Sequence, residues 1–236
     1  MKYLKSLLFA VTAMVGIQTA KAQTADEVIN KFIAAIGGKE KMMALNSLKL
    51  DGSLNVQGFD IGLTITVLNG KGSRTDISVP GQSDGYRIMT PNGGWNYLPF
   101  RGMTAPEAST DEEVKAGQAP LDLQTPLLNY AAKGHKVELL GKDKVDNADC
   151  YKLKVTYKNG KVATLYIDAT TYYRIKSVST LNVNGTDTEV ETTYADFRKT
   201  SEGYVFPYSQ TSINGTITFS SIEVNKPVDE NIFKAN

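Results

Sequence analysis

Two hydrophobic periods divide the chain. In "TADEVINKFIAAIGG", Val28, Ile29, Phe32, Ile33 and Ile36 recur at helical spacing. Thr24 and Glu27 stand three apart, as in a capping box, and Gly37-Gly38 supplies a stop. The spacing predicts an amphipathic helix and then a short second helix, from Glu40 to Leu45. From Leu48 the period falls to two. Leu48, Leu50, Leu54 and Val56 alternate with polar residues, and Phe59, Ile61, Leu63, Ile65 and Val67 do so more strictly. Thr64 and Thr66 take the opposite side, the pattern of a half-buried antiparallel strand.

Further strands read at "DGYRIMT", "GGWNYLP", "HKVELLG", "CYKLKVTYK", "KVATLYID", "YRIKSVSTLNV", "TEVETTYADFR", "YVFPYSQTSI" and "TITFSSIEV". Asn-Gly pairs at 69–70, 159–160, 184–185 and 214–215 punctuate them. Both residues tolerate positive φ, so type I′ turns and a meander of successive hairpins are expected. Between Leu98 and Lys133 the alternation stops. Ser109 with the following acids predicts a helix start, and Leu121, Leu123, Leu127, Leu128 and Tyr130 an apolar surface. Two short helices with a Pro-punctuated connection fit this run, as a lid or as a plug of the core.

A twisted sheet of roughly ten antiparallel strands curls into a barrel or half-barrel. The helical segments are then the only cover for its interior. An imperfect fit between the two leaves an apolar hollow suited to an acyl chain. Gly52 and Gly62 would help the strands bend. The expected lining is Leu54, Val56, Ile61, Leu63, Ile65, Trp95, Tyr97, Leu123, Leu127 and Leu128. For Trp95, the only tryptophan, core filling competes with a place under the flap at the hollow's mouth.

The N-terminus changes the compartment. Lys2 and Lys5, an apolar run from Leu7 to Ile17 and Ala20-Lys21-Ala22 form a secretory signal cleaved before Gln23. A single domain over 23–236 follows. Gln23 stands where a lipidated protein needs cysteine, so no lipid anchor is expected. Loss of three lysines leaves 23 basic groups against 25 acidic, which gives no footprint for nucleic acid. No later segment is long enough to span a membrane.

Three stretches resemble the LolA-like superfamily of periplasmic outer-membrane lipoprotein carriers and their relatives. They are "ADEVINKFIAAIGGKEKMMALNSLKLDGSL", "KVATLYIDATTYYRIKSVS" and "SSIEVNKPVDENIFKAN". The resemblance implies a mainly β (α+β) fold: an open antiparallel half-barrel covered by short helices, with an apolar cavity. It implies a monomeric periplasmic carrier of lipid or lipoprotein acyl chains in a Gram-negative cell, with an outer-membrane acceptor. A cell-envelope sensor or protein-interaction module using the same concave face is the alternative. The carrier's lid-locking arginine has no assigned counterpart; Arg74, Arg87 and Arg101 are all open.

Catalytic and metal chemistry has little to draw on. His135 is the only histidine and Cys150 the only cysteine, with no nucleophile elbow. Neither an enzyme, a metal site nor a cofactor is expected. Cys150 reads as a buried hydrophobe. Asp111, Glu112 and Glu113 read as a helix first turn, and Asp168 with Thr171 as a turn between strands.

Overall fold

The computed structural model describes residues 23–56, 58–183 and 186–235, and the side chains of all of these except 181–183, 186 and 187. The signal segment and the Asn184-Gly185 turn therefore lie outside the described residues. Helix α1 (Ala25–Ala35) starts at the expected capping box. Thr24 Oγ1 accepts the Glu27 N–H at 3.2 Å and Glu27 Oε2 accepts the Thr24 N–H at 2.9 Å. Helix α2 spans Lys39–Ala44, one residue ahead of its predicted range.

The strands are β1 (Ser47–Val56), β2 (Phe59–Leu68), β3 (Gly72–Ser78), β4 (Gly85–Thr90), β5 (Gly93–Tyr97) and β6 (Glu107–Ala108). Helix α3 (Asp111–Gly117) follows. The chain then forms β7 (Lys136–Val145), β8 (Ala148–Thr156), β9 (Val162–Asp168), β10 (Arg174–Val183), β11 (Thr186–Lys199), β12 (Val205–Ser212) and β13 (Gly215–Val224). They form one sheet in the order β6-β5-β4-β3-β2-β1-β13-β12-β11-β10-β9-β8-β7. Two meanders thus meet at an antiparallel seam, where Leu48 of β1 pairs with Val224 of β13. The result is an open half-barrel with short helices on its inner face.

The main core lies on that inner face. Val28, Ile29, Phe32 and Ile33 of α1 are buried with Leu153, Val155, Leu165 and Ile167 of β8 and β9. Leu127 and Leu128 are in the same cluster, 1% and 3% exposed. A second, smaller core lies on the outer face. There Phe233, in a 3-10 turn at Glu230–Phe233, packs with Leu68, Tyr86 and Ile88.

Several expectations change. Strand β3 escapes the alternation pattern because Ile77 is its only aliphatic residue. The turns at Asn69-Gly70, Asn159-Gly160 and Asn214-Gly215 are not type I′, because only the glycine of each has positive φ. At 159–160, Gly160 N–H bonds to Tyr157 O and Tyr157 N–H to Lys161 O, which a longer loop with glycine at the left-handed position explains. Helix α3 is capped by Thr110, not Ser109. Thr110 Oγ1 accepts from Glu113 N–H, and Glu113 Oε2 accepts from Thr110 N–H. The second helix predicted within 98–133 is one 3-10 turn, Ala119–Leu121. Pro120 and Pro126 deny a longer helix its N–H groups and restrict the residues before them.

Candidate functional site

The cross-strand register sorts the residues expected to line a hollow. Leu54 pairs with Ile61, Val56 with Phe59, Gly52 with Leu63 and Leu50 with Ile65. Leu54, Val56, Ile61, Leu63 and Ile65 therefore share the inner face. Trp95 and Tyr97 do not. They pair with Ile88 and Tyr86 and pack in the outer-face core with Phe233. The tryptophan fills a core under the C-terminal turn, and Ala108 of β6 sits opposite it. Leu123 packs at the edge of the main core, while Leu127 and Leu128 are sealed within it. The predicted lining is thus divided into an inner-face group, an outer-face pair and a core plug.

The inner-face group extends beyond the expected residues. Leu54 pairs with Ile217 of β13, Ile217 with Gln210 of β12 and Gln210 with Tyr194 of β11. One lateral row therefore reads Ile61, Leu54, Ile217, Gln210, Tyr194. All five are half-buried. The row crosses four interstrand gaps of about 4.8 Å, roughly 19 Å along the curve of the sheet. Leu50, Ile65, Phe206 and Tyr208 lie on the core side of it and pack against the main cluster. On the other side stand the hairpin tips. Phe59 and Ile213, on neighbouring tips, are 76% and 80% exposed. The row is a half-buried, mostly apolar strip across the inner face, and it is the candidate floor of a binding groove.

Bulges shape this floor. Ser220 is the extra residue opposite β1, where the register shifts between Asp51 and Gly52. The Phe219 ring fills the place a Gly52 side chain would occupy: a Cβ there would lie 3.1 Å from Phe219 Cδ1 and 2.4 Å from Thr218 O. In β10 the extra residue is Ile175, because Arg174 pairs with Ile167 and Lys176 with Tyr166. This puts Arg174 on the inner face, with its guanidinium 4.4 Å from the Tyr194 ring centre. Ser177 and Tyr194 share a hydroxyl hydrogen bond of 3.0 Å. Simple alternation places Arg174 beside Lys176, which is why the sequence missed it. Tyr194 and Ile217 were legible as alternating positions of their strands.

Two depressions lie away from this row. A depression of about 500 Å³ on the outer face is lined by Asp51, Thr64, Asp76, Ser78 and Asp84, among others. Another, of about 220 Å³, lies beside Pro227–Asp229. In the first, Asp51 accepts hydrogen bonds from Thr64 and Ser221, and Asp76 is bound by Arg74 at 2.7 Å.

The segment over 98–134 has two parts. Leu98 N–H bonds to Met103 Sδ at 3.3 Å, and α3 follows with no buried residue. Beyond it, Leu121, Leu127 and Leu128 are buried, and Lys133 holds Asp122 at 2.6 Å and Thr125 O at 2.7 Å. The second part is a plug. His135 follows: its Nδ1 accepts the Lys158 N–H at 3.1 Å and its ring meets Tyr157 edge-on. Burial and the Lys133 charge hold its pKa below the usual value, against Asp122. A triad histidine donates from Nδ1 to a carboxylate, so this orientation is the wrong one for that role. Burial raises the Cys150 thiol pKa, and Cys150 Sγ lies 3.6 Å from Ala148 O. Asp168 closes the β9–β10 turn, accepting from Thr170 and Thr171. Among the described residues no helix is long and apolar enough to cross a membrane.

An open antiparallel half-barrel with helices on its inner face defines a fold class. Solved structures share it. The chain is similar to a LolA superfamily protein from Nitrosomonas europaea, at 15% identity and a TM-score of 0.57 over 90% of this chain and 98% of the other. It is similar to a domain assigned to outer membrane lipoprotein sorting from Vibrio parahaemolyticus, at 14% identity and 0.56, covering 88% and 94%. A DUF1329 family protein from Desulfovibrio piger matches at 13% identity and 0.59, covering 90% and 98%. No protein-family model and no curated protein matches the sequence. The chain has the LolA-like fold.

Proposed function

We propose that this chain is a carrier of lipid or lipoprotein acyl chains in the periplasm of a Gram-negative cell, not an enzyme. One observation carries the reading: five half-buried residues, mostly apolar, form a continuous row on the inner face across β2, β1, β13, β12 and β11. Burial of hydrocarbon on that floor contributes about 0.8 kcal/mol per methylene. The lipoprotein-sorting assignment of the Vibrio parahaemolyticus relative supports the same class of cargo. Secretion by the N-terminal signal, cleavage before Gln23 and a monomeric, unlipidated product complete the proposal.

A second reading rests on Phe59 and Ile213. Two large apolar side chains exposed on adjacent tips favour a partner surface at the groove's rim. In the carrier this rim is where an outer-membrane acceptor would dock; in a sensor module it would be the main site.

The test is organic extraction of protein purified from cell envelopes, followed by lipid mass spectrometry. Co-purified acyl lipid that exchanges with added lipid is expected. Repeated recovery with neither bound nor exchangeable lipid overturns the carrier.

A further inference from the structure

The chain has five arginines, and four have an evident environment. Arg74 and Arg198 are each paired with an aspartate two residues away, Asp76 and Asp196. Arg87 and Arg101 are exposed to water. Arg174 differs from all of them. It is half-buried on the inner face and stacked on Tyr194. Among the described residues no carboxylate forms an ion pair with it.

A ring stacked on a guanidinium satisfies none of its five N–H donors. A cation drawn partly out of water without a counter-ion carries a desolvation cost that a bound anion relieves. Asp122 and Arg174 both act on the half-buried Tyr157 hydroxyl. Lys133 already neutralises Asp122 at 2.6 Å. The Tyr194 hydroxyl, bonded to Ser177, holds the aromatic ring in place under the guanidinium. Tyr194 is also the last residue of the groove-floor row.

We propose that Arg174 is the anion anchor of the groove: it binds the carboxylate or phosphate head of an amphiphile whose tail lies along Tyr194, Gln210, Ile217, Leu54 and Ile61. The planar fork of the guanidinium matches both anions in a bidentate way. The proposal rests on the carrier reading and adds the class of cargo: acidic, not neutral, amphiphiles. It also fixes the cargo's direction, head toward β10 and tail toward β2.

The experiment titrates the purified mature chain calorimetrically with dodecanoate, dodecyl phosphate, dodecanol and inorganic phosphate. The wild type is expected to bind either anionic amphiphile about tenfold or more tightly than dodecanol, as one charge-assisted interaction allows. That advantage shrinks with added salt. In Arg174→Gln the ratio of anionic to neutral affinity falls to within about twofold of one. Arg174→Lys, which keeps the charge without the fork, falls between. Equal affinities in the wild type, or a ratio retained in Arg174→Gln, overturn the anchor and leave the carrier standing. Inorganic phosphate binding as tightly as dodecyl phosphate makes this a free-anion site and overturns the headgroup assignment. Failure of all three amphiphiles to bind overturns the carrier itself. The wild-type comparison decides the matter even where a variant does not fold.

Discussion

Gly52 and Gly62 look alike in the sequence, both isolated glycines in strands. The structure separates them. A Cβ on Gly52 would lie 2.4 Å from the Thr218 carbonyl oxygen, whereas one on Gly62 meets Ser78 Cβ at an ordinary 3.5 Å. Gly52→Ala is therefore expected to destabilise the fold by about 1–3 kcal/mol, since backbone must shift. Gly62→Ala is expected to be neutral or stabilising by up to about 1 kcal/mol, because alanine lowers the entropy of the unfolded chain. Urea denaturation of the two variants checks this, and equal effects would contradict it. Residue-scale detail of this kind was only partly legible. The inward places of Leu54 and Ile61 follow from alternation. That of Arg174 depends on the bulge at Ile175, which no periodicity announces. For Trp95, alternation leaves core filling and cavity lining open, because it gives the residues that share a face but not which face is the inner one; the structure shows core filling.

Among elements, α1 and its cap were the most legible, because cap, apolar stripe and glycine stop agree. Long strands with aliphatic alternation were legible too. Strand β3 was not, since its side chains are mostly polar and its place is set by pairing with β2 and β4. Periodicity presents the 98–133 segment as one unit, lid or plug, yet its halves differ in burial. Leu128→Ala in the plug is expected to cost about 2–5 kcal/mol. Val114→Ala, in the exposed α3, should cost under about 1 kcal/mol. Chemical denaturation midpoints distinguish the two, and comparable losses would mean that α3 is as much core as the plug is.

For the whole molecule, stability against pH has one histidine to report it. The folded-state pKa of His135 is lowered from 6.5, so the unfolded chain binds the proton more readily. Stability is then fully present above about pH 6.5 and is lost as the pH falls through that value toward the lowered one. Ordinary carboxylates titrate below about pH 5, which leaves this window to His135. Melting temperatures between about pH 7.5 and 5.5 should slope downward in the wild type and flatten in His135→Gln. An unchanged slope in the variant would show that another group is responsible.

The sheet order has a kinetic consequence. Each meander zips from turn to turn, with partners close in sequence. Of the described strand pairings, only the β1–β13 seam joins residues such as Leu48 and Val224 from opposite ends of the chain. Loop-closure entropy makes such a contact the slow one, so two half-sheets form first and wait to be stitched. Until that stitch closes, both halves expose unpaired strand edges at the centre of the future sheet. That interval is when the chain is most prone to aggregate with its own copies.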